Sequence, residues 1–205
     1  MRNEHTMKLV ILDRDGTLNL HRQDYVKGVD EWVPVQGSLE AIARLNHAGW
    51  HTVIATNQSG LGRGVLDMAT LNAIHLRMNA ALAEYGGRID AVFFCPHGPD
   101  DGCDCRKPLP GLFIQIGERY GVDLRQVPAV GDSLRDLQAG ASAGCPTHLV
   151  LTGRGSEVDQ EKLWAELPET RVHADFASFV DDLLEREHRA RVDAGAPDTE
   201  YQEHR

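Results

Sequence analysis

LVILDRDGTLN, residues 9–19, places two carboxylates directly after a run of four apolar residues. The apolar run predicts a short buried strand. On an extended chain Asp13 and Asp15 would point to opposite faces, but Gly16 allows a turn that brings both side chains into one pocket. Such a pair can supply a nucleophile and a general acid–base, or can bind a metal ion. The simpler alternative is a solvated pair of aspartates at the start of a loop.

Strand-like runs alternate with helical patterns along the rest of the chain. The runs are short and rich in valine and isoleucine, which is typical of buried parallel strands. The alternation predicts an α/β fold in which helices cover both faces of an open parallel sheet, with ligands bound at the carboxyl ends of the strands. The predicted strands cover residues 8–12, 51–56, 90–95, 127–131 and 147–151, and helical patterns begin near residues 38, 71, 112 and 134.

The composition is that of a globular protein. The chain has 205 residues, a formal net charge of −10 and a pI of about 5.4, so it lacks the basic footprint of a nucleic-acid-binding protein. No apolar run approaches the roughly 18 residues of a membrane-spanning helix, and the first residues do not resemble a signal peptide. We therefore expect a cytoplasmic monomer with no nucleic-acid or membrane partner.

The chain is long enough to bury a sizeable core, and we expect one domain over residues 8–185 after a leader of residues 1–7. Residues 186–205 are charged and nearly free of large apolar side chains. This composition predicts a frayed helix end followed by a disordered tail.

Two further segments place polar residues after predicted strands. TNQSGLGRG, residues 56–64, begins with Thr56 and Asn57 and contains three glycines, and a hydroxyl beside exposed backbone amides is typical of a phosphate cradle. GDSLRD, residues 131–136, places Asp132 at a strand end and Asp136 one helical turn later. Carboxylates without neighbouring histidine or cysteine suit Mg²⁺. The alternatives are a flexible glycine loop and an N-cap aspartate with a surface neighbour.

The most specific motif is CPHGPDDGCDCRKP, residues 95–108. Three thiols and one imidazole, in a C-x-H pair and a C-x-C pair, would complete a closed tetrahedral site for structural Zn²⁺. The intervening prolines and glycines predict a loop, which argues against a chance cluster of core cysteines. The remaining cysteine, Cys145, is expected to be a packed thiol. The predicted zinc ligands are Cys95, His97, Cys103 and Cys105.

Arg106 and Lys107 follow the last predicted zinc ligand directly. An adjacent basic pair is usually solvated. Here the zinc site and Pro108 would both restrict the backbone, so a positioned, phosphate-binding role is favoured.

Together these segments resemble the haloacid dehalogenase superfamily of phosphohydrolases over about residues 7–185. The resemblance implies a Rossmann-like sheet, two-step phosphoryl transfer and a zinc-bound loop near the active site. Neither the gap after the first strand nor the gap between the third and fourth is long enough for a large cap domain. The motifs occur in family order, as Asp13-x-Asp15-Gly-Thr, Thr56-Asn57, Lys107, and Gly131-Asp132 with Asp136.

The resemblance also implies a role for each site residue. Asp13 would attack phosphorus to form an aspartyl phosphate, and Asp15 would protonate the leaving alkoxide and then activate water. Thr56 and Lys107 would hold the transferring phosphate. The implied Mg²⁺ ligands are Asp13, the backbone carbonyl of Asp15 and Asp132, with Asp136 in support.

Within the superfamily, the zinc loop and the lack of a long insert narrow the resemblance to small phosphatases of two kinds. One kind removes the 7-phosphate of D-glycero-D-manno-heptose 1,7-bisphosphate in lipopolysaccharide core synthesis, and the other acts on histidinol phosphate. Ser59 and Arg63 favour the sugar bisphosphate, whose second phosphate Arg106 would help to bind. A non-catalytic, zinc-stabilised binding module is the remaining alternative. The implied substrate-binding residues are Asn57, Ser59, Arg63 and Arg106.

Overall fold

The computed structural model of the protein describes residues 7–194. Its centre is a six-stranded sheet of parallel strands in the order β3-β2-β1-β4-β5-β6. The strand order reverses between β1 and β4, which makes this crevice the expected binding position. The strands are β1 Leu9–Leu12, β2 His51–Asn57, β3 Ala91–Cys95, β4 Ala129–Gly131, β5 Thr147–Val150 and β6 Arg171–His173.

Helices cover both faces of the sheet, as predicted. Successive residues of β1 alternate between the two sides: Val10 and Leu12 join one buried cluster with residues of α1, α3 and α7, and Leu9 and Ile11 join another with α4 and α5. The first strand is therefore buried on both faces. The helices are α1 Ser38–His47, α2 Ser59–Gly62, α3 Met68–Glu84, α4 Gly111–Tyr120, α5 Leu134–Ser142, α6 Gln160–Glu166 and α7 Phe176–Asp193.

The five predicted strands are all present, but the sequence did not predict β6 or α6. β6 has three residues, of which only Val172 is a large apolar side chain, so it carries almost no strand pattern. It adds to the sheet by pairing in parallel with β5. Predicting it from sequence would have required knowledge of the open edge that β5 offers.

The final helix extends further than the sequence predicted. Residues 186–193 of the expected tail continue α7, where Arg186 pairs with Asp182 at 2.9 Å and Arg189 pairs with Glu185, both at i,i+4 spacing. Glu187 also accepts a hydrogen bond from Trp50 Nε1 at 3.0 Å. The rest of the predicted tail, and residues 1–6 of the predicted leader, lie outside the described residues.

The connections that could hold a large cap are short. Residues 13–37 link β1 to α1, and residues 96–110 link β3 to α4. The cavity at the sheet edge is therefore covered by short loops rather than by a separate domain. Among residues 7–194, none of the helices combines the length and the apolar composition that crossing a bilayer requires.

Candidate active site

The polar residues predicted at the strand ends meet in one cavity of about 250 Å³ at the carboxyl edge of the sheet. They reach it from the ends of β1, β2 and β4, from the loop after β3 and from the start of α5. The predicted catalytic and magnesium-binding residues that line it are Asp13, Asp15, Thr56, Lys107, Asp132 and Asp136.

A buried lysine lies among the carboxylates. Lys107 Nζ is 2.6 Å from Asp13 Oδ1 and 2.6 Å from Asp136 Oδ1, and it donates to the carbonyl of Ala55 at 2.8 Å. Only 2% of Lys107 is exposed. All three donor positions of the ammonium are thus occupied, so its position is fixed from three sides.

One ammonium does not balance the negative charge of the cluster. Burial raises the pKa of Asp13 to about 7 even though Lys107 opposes the shift, and burial with the charges of Asp13 and Asp136 raises the pKa of Asp132 to about 8. Burial alone would lower the pKa of Lys107, but the two adjacent carboxylates outweigh it and raise that pKa. The lysine therefore stays charged while the carboxylates lack a second cation.

The donor set fits a hard divalent cation. Asp13, Asp132 and Asp136 each offer a carboxylate oxygen, and these oxygens lie within 4.8 Å of one another. Oxygen ligands of this kind suit Mg²⁺. The carboxylate of Asp15 is not part of this cluster, which leaves its backbone carbonyl as the predicted ligand.

Asp136 has a structural function at the start of α5. Its Oδ2 accepts hydrogen bonds from Ser133 N at 3.0 Å and Ser133 Oγ at 2.6 Å. The bond from Ser133 N, together with the bond that the Ser133 side chain accepts from the backbone of Asp136, forms a capping box. Its Oδ1 contacts Lys107. Both oxygens are engaged by the protein, in agreement with a supporting rather than a leading position in a metal site.

The loop after β5 orients Asp132, and the sequence analysis missed it. Arg154 N donates to Asp132 Oδ2 at 2.8 Å, and Thr152 Oγ1 donates to the carbonyl of Gly16 at 2.6 Å. Gly153 has a φ of +55°, and a Cβ there would lie 2.1 Å from Asp132 Oδ2. The signal available in the sequence was the LTGRG segment, residues 151–155, directly after a predicted strand.

Asp15 is held by three neighbours outside the metal cluster. Arg14 contacts both of its oxygens, with Nη2 at 2.9 Å from Oδ2, and Asn19 Nδ2 and Gln58 Nε2 donate to it at 2.9 and 3.2 Å. Burial alone would raise the pKa of Asp15, but the Arg14 charge and these hydrogen bonds outweigh it and lower the pKa. The resting site therefore holds Asp15 as a carboxylate.

The last two residues of β2, Thr56 and Asn57, make different contacts. Thr56 Oγ1 accepts from Gln58 Nε2 at 3.0 Å, which leaves the hydroxyl proton free to donate to a ligand. Asn57 lines the cavity, but its amide is occupied: Nδ2 donates to the carbonyl of Lys107 at 3.0 Å and Oδ1 accepts from Lys107 N at 3.1 Å. Its side chain positions the lysine loop instead of facing a substrate.

The predicted substrate-binding residues are not all brought together. Ser59 and Arg106 line the cavity, where Tyr25 Oη lies 3.4 Å from Ser59 Oγ. Arg63 is exposed, follows the last residue of α2 and does not line the cavity. The residues of the cavity that the sequence analysis did not identify include Tyr25, Gln58, Arg135 and Arg154.

The cysteine–histidine motif folds into a tight cluster beside the cavity. Cys95 Sγ lies 3.7 Å from Cys103 Sγ and 3.5 Å from His97 Nδ1, and His97 Nδ1 lies 3.3 Å from Cys105 Sγ. Ligand sulfurs about 2.3 Å from a zinc ion are about 3.8 Å apart in a tetrahedron. The spacing therefore fits a closed zinc site. Cys145 is buried and lies outside the cluster, as predicted.

A parallel sheet with two aspartates after its central strand, a buried lysine and further carboxylates after β4 defines a phosphohydrolase of the haloacid dehalogenase class. In agreement with this assignment, the family described as HAD-hydrolase-like matches residues 104–183.

Individual proteins that are similar to this chain identify its family within the superfamily. The chain is 59% identical over 180 residues to the D-glycero-β-D-manno-heptose-1,7-bisphosphate 7-phosphatase of Bordetella bronchiseptica. This alignment covers 87% of this chain and 99% of the relative. It is 51% identical over 178 residues to the protein of the same name from Pseudomonas aeruginosa, covering 86% and 98%. The crystal structure of the D,D-heptose 1,7-bisphosphate phosphatase from B. bronchiseptica, complexed with magnesium and phosphate, aligns with a TM-score of 0.82 and 57% identity over 88% of this chain and 99% of that one. The chain belongs to the D-glycero-β-D-manno-heptose-1,7-bisphosphate 7-phosphatase family.

The crowded carboxylates predict that removing one of them stabilises the protein when magnesium is absent. A folded-state pKa raised from 3.8 to about 8 means that Asp132 costs stability as the pH rises through this window. In magnesium-free buffer at pH 8, Asp132→Asn should raise the free energy of unfolding by about 1–3 kcal/mol. The gain should shrink towards pH 4. Urea denaturation across this pH range provides the measurement.

Asp30→Asn, at an exposed aspartate, is the matched control and should leave the pH dependence unchanged. Saturating magnesium should stabilise the wild type more than Asp132→Asn, because only the wild type retains the full ligand set. An Asp132→Asn variant that is less stable than the wild type in magnesium-free buffer at pH 8 would contradict the charge-crowding explanation.

Proposed function

We propose that the protein is a magnesium-dependent phosphatase that removes the 7-phosphate of D-glycero-β-D-manno-heptose 1,7-bisphosphate, a reaction of ADP-heptose and lipopolysaccharide core synthesis. The observation that carries the proposal is the 2.6 Å contact between Asp13 Oδ1 and Lys107 Nζ inside a cluster of buried carboxylates. An anionic nucleophile can approach an anionic phosphate only where cations offset their repulsion. The identity to named heptose bisphosphate phosphatases supports the choice of substrate.

Asp13 is the nucleophile in this proposal. One of its carboxylate oxygens bonds to phosphorus as the bond between phosphorus and the sugar oxygen breaks. Asp13, the backbone carbonyl of Asp15 and Asp132 would hold Mg²⁺, with Asp136 in support. The bound cation neutralises the negative charge on the phosphoryl oxygens.

Asp15 moves the protons. It gives a proton to the leaving sugar oxygen in the first step, and as a carboxylate it takes a proton from water in the second. The water oxygen then bonds to phosphorus and releases inorganic phosphate from Asp13. Its ion pair with Arg14 favours the carboxylate form that the second step needs. An incoming phosphate dianion opposes that effect and favours the protonated form for the first step.

Thr56 and Lys107 hold the transferring phosphate. Thr56 Oγ1 accepts from Gln58 and retains a proton to donate, and the Lys107 ammonium already lies against the nucleophile. Asn57 fixes the backbone of Lys107 from both its donor and its acceptor. We expect these contacts to keep the ammonium beside the phosphoryl oxygens during the transfer.

The rim of the cavity suits a second phosphate on the substrate. Arg106 lines the cavity and donates to the carbonyl of His97 at 3.1 Å, so the zinc loop holds its guanidinium in place. A positioned arginine can bind a phosphate through two hydrogen bonds. Ser59 also lines the cavity, and we expect it to contact the sugar. Histidinol phosphate, the alternative substrate, has no second phosphate for Arg106 to bind.

We further propose that Zn²⁺ occupies the cluster of Cys95, His97, Cys103 and Cys105 as a structural ion. A closed site of three thiolates and one imidazole leaves no coordination position for a reaction. Its function would be to stiffen the loop that ends in Arg106 and Lys107. We expect the protein to be monomeric and cytoplasmic, a compartment in which these thiols stay reduced.

Kinetics on a panel of substrates tests the proposed activity. The wild type should release phosphate from heptose 1,7-bisphosphate with a higher kcat/KM than from histidinol phosphate or fructose 1,6-bisphosphate. Asp13→Asn should lose about four orders of magnitude or more in kcat, because an amide cannot act as the nucleophile. A preference for histidinol phosphate would replace the substrate assignment, and near-wild-type turnover by Asp13→Asn would rule out the covalent mechanism.

Arg106 should separate substrate binding from phosphate transfer. Arg106→Ala should lower kcat/KM for heptose bisphosphate by roughly 10–100-fold, because the variant loses charge-assisted hydrogen bonds to the second phosphate. The same variant should hydrolyse p-nitrophenyl phosphate at nearly the wild-type rate. Arg63→Ala is the matched control at an arginine outside the cavity and should affect neither substrate. Equal losses on both substrates for Arg106→Ala would refute a role in binding the second phosphate.

The zinc proposal is tested by elemental analysis. Protein purified without chelators should contain about one equivalent of zinc, because a closed thiolate site binds the ion tightly. Cys103→Ser should reduce the zinc content and lower activity on both substrates, since it releases the loop that carries Arg106 and Lys107. Cys145→Ser, at a cysteine outside the cluster, should retain the zinc. Wild-type protein without zinc would overturn the proposal.

A further inference from the structure

Arg14, which lies between the two aspartates of the first motif, enters the mechanism described so far only through the charge of its ion pair with Asp15. Only 1% of it is exposed, and it is among the largest fully buried side chains in residues 7–194. A guanidinium remains charged, so its burial is costly unless every face finds a partner. The partners of Arg14 therefore indicate why this position holds an arginine.

One edge of the Arg14 guanidinium donates hydrogen bonds to the Asp15 carboxylate. Nε and Nη2 donate to Asp15 Oδ1 at 3.2 and 3.0 Å, and Nη2 donates to Oδ2 at 2.9 Å. A planar fork against a carboxylate fixes its rotation as well as its position. The side chain of Asp15 nevertheless remains 26% exposed, so it is held by Arg14 without being sealed from the cavity.

The other side of the guanidinium contacts a histidine far away in sequence. Arg14 Nη1 lies 3.3 Å from Nε2 of His75, which is in the middle of α3. Because arginine can only donate, Nε2 must accept, and the imidazole is neutral with its proton on Nδ1. Burial and the adjacent guanidinium lower the pKa of His75 to about 4, in agreement with a neutral ring.

We propose that Arg14 and His75 are positioning residues, and that His75 seats the guanidinium that orients the Asp15 carboxylate for proton transfer. This inference rests on the acid–base role of Asp15 in the proposed function. Neither residue lines the cavity in which the phosphate would bind. A purely structural ion pair would affect stability alone, whereas a positioning pair must affect the steps in which Asp15 moves a proton.

The two proton transfers can be separated by the choice of substrate. A sugar alkoxide needs a proton from Asp15 to leave, but p-nitrophenolate leaves without one. Hydrolysis of the aspartyl phosphate needs Asp15 as a base with either substrate. Misorienting Asp15 should therefore slow both steps with a sugar phosphate. With p-nitrophenyl phosphate it should slow only the second step, so that the phosphorylated protein accumulates.

His75→Leu removes the acceptor at similar volume, and His75→Gln restores one. We expect His75→Leu to lower kcat on heptose bisphosphate by roughly 10–100-fold, because a misoriented Asp15 loses part of its rate enhancement as general acid–base. KM should change by less than about twofold. On p-nitrophenyl phosphate the same variant should show a burst of nitrophenolate, close to one equivalent, and acid-quenched protein should carry phosphate. His75→Gln should recover most of the loss and lose the burst, and Arg14→Lys should behave like His75→Leu.

His188→Leu, at an exposed histidine of α7, is the matched control and should behave as the wild type. The positioning role is refuted if His75→Leu shows no burst, if His75→Gln recovers nothing, or if KM rises while kcat is unchanged. Wild-type protein that does not hydrolyse heptose bisphosphate would instead overturn the proposed substrate. In that case the burst with p-nitrophenyl phosphate still decides the role of His75, because this assay does not depend on the sugar.

Discussion

The rest of the site depends on a single buried ammonium. Lys107 Nζ contacts Asp13, Asp136 and the carbonyl of Ala55, and it thereby connects the ends of β1 and β2 with the start of α5. Without that charge, the carboxylates at the switch point would repel one another across a few ångströms of low-dielectric interior. With it, the cluster is still short of positive charge. The same deficit that makes the pocket costly to fold gives it an affinity for a cation and, together with that cation, for a phosphate.

The Lys107 side chain is long and flexible, so the ammonium keeps a constant position only if the backbone of Lys107 is also fixed. Two separate sets of contacts fix this backbone. The Asn57 amide binds the Lys107 backbone through both of its groups, and the cysteine–histidine cluster begins at the end of β3 and closes directly before Arg106. The loop that carries Lys107 is thus held at the sheet edge by Asn57 and by the cysteine–histidine cluster. The cysteine–histidine cluster beside the cavity and the residues that line the cavity are therefore connected through one loop.

The sequence was sufficient for five of the six strands, because buried parallel strands are continuous apolar runs and polar residues follow them at the edge. It also predicted that these cysteines and the histidine lie together, since four such side chains within eleven positions of a loop form a strong local signal. It could not reveal that the Asn57 amide binds the backbone of Lys107, or that Arg63 lies outside the cavity lining. Both outcomes depend on which groups meet in three dimensions. Arg14 and His75 are 61 positions apart, and no local pattern connects them. β6 was not predicted for a similar reason, because this strand depends on pairing with the edge of β5 and not on a pattern in its own sequence.

The contact between Gly153 and Asp132 has a consequence for anyone who wishes to redesign this protein. Residues 151–155 cross the loop after β1 so closely that the backbone of Gly16 would be 2.5 Å from a Cβ at Gly153. Thr152 ties the two loops together. Combinatorial libraries directed at substrate choice should leave both glycines unchanged and place their diversity among residues 21–24. These residues are exposed, and three of them line the cavity.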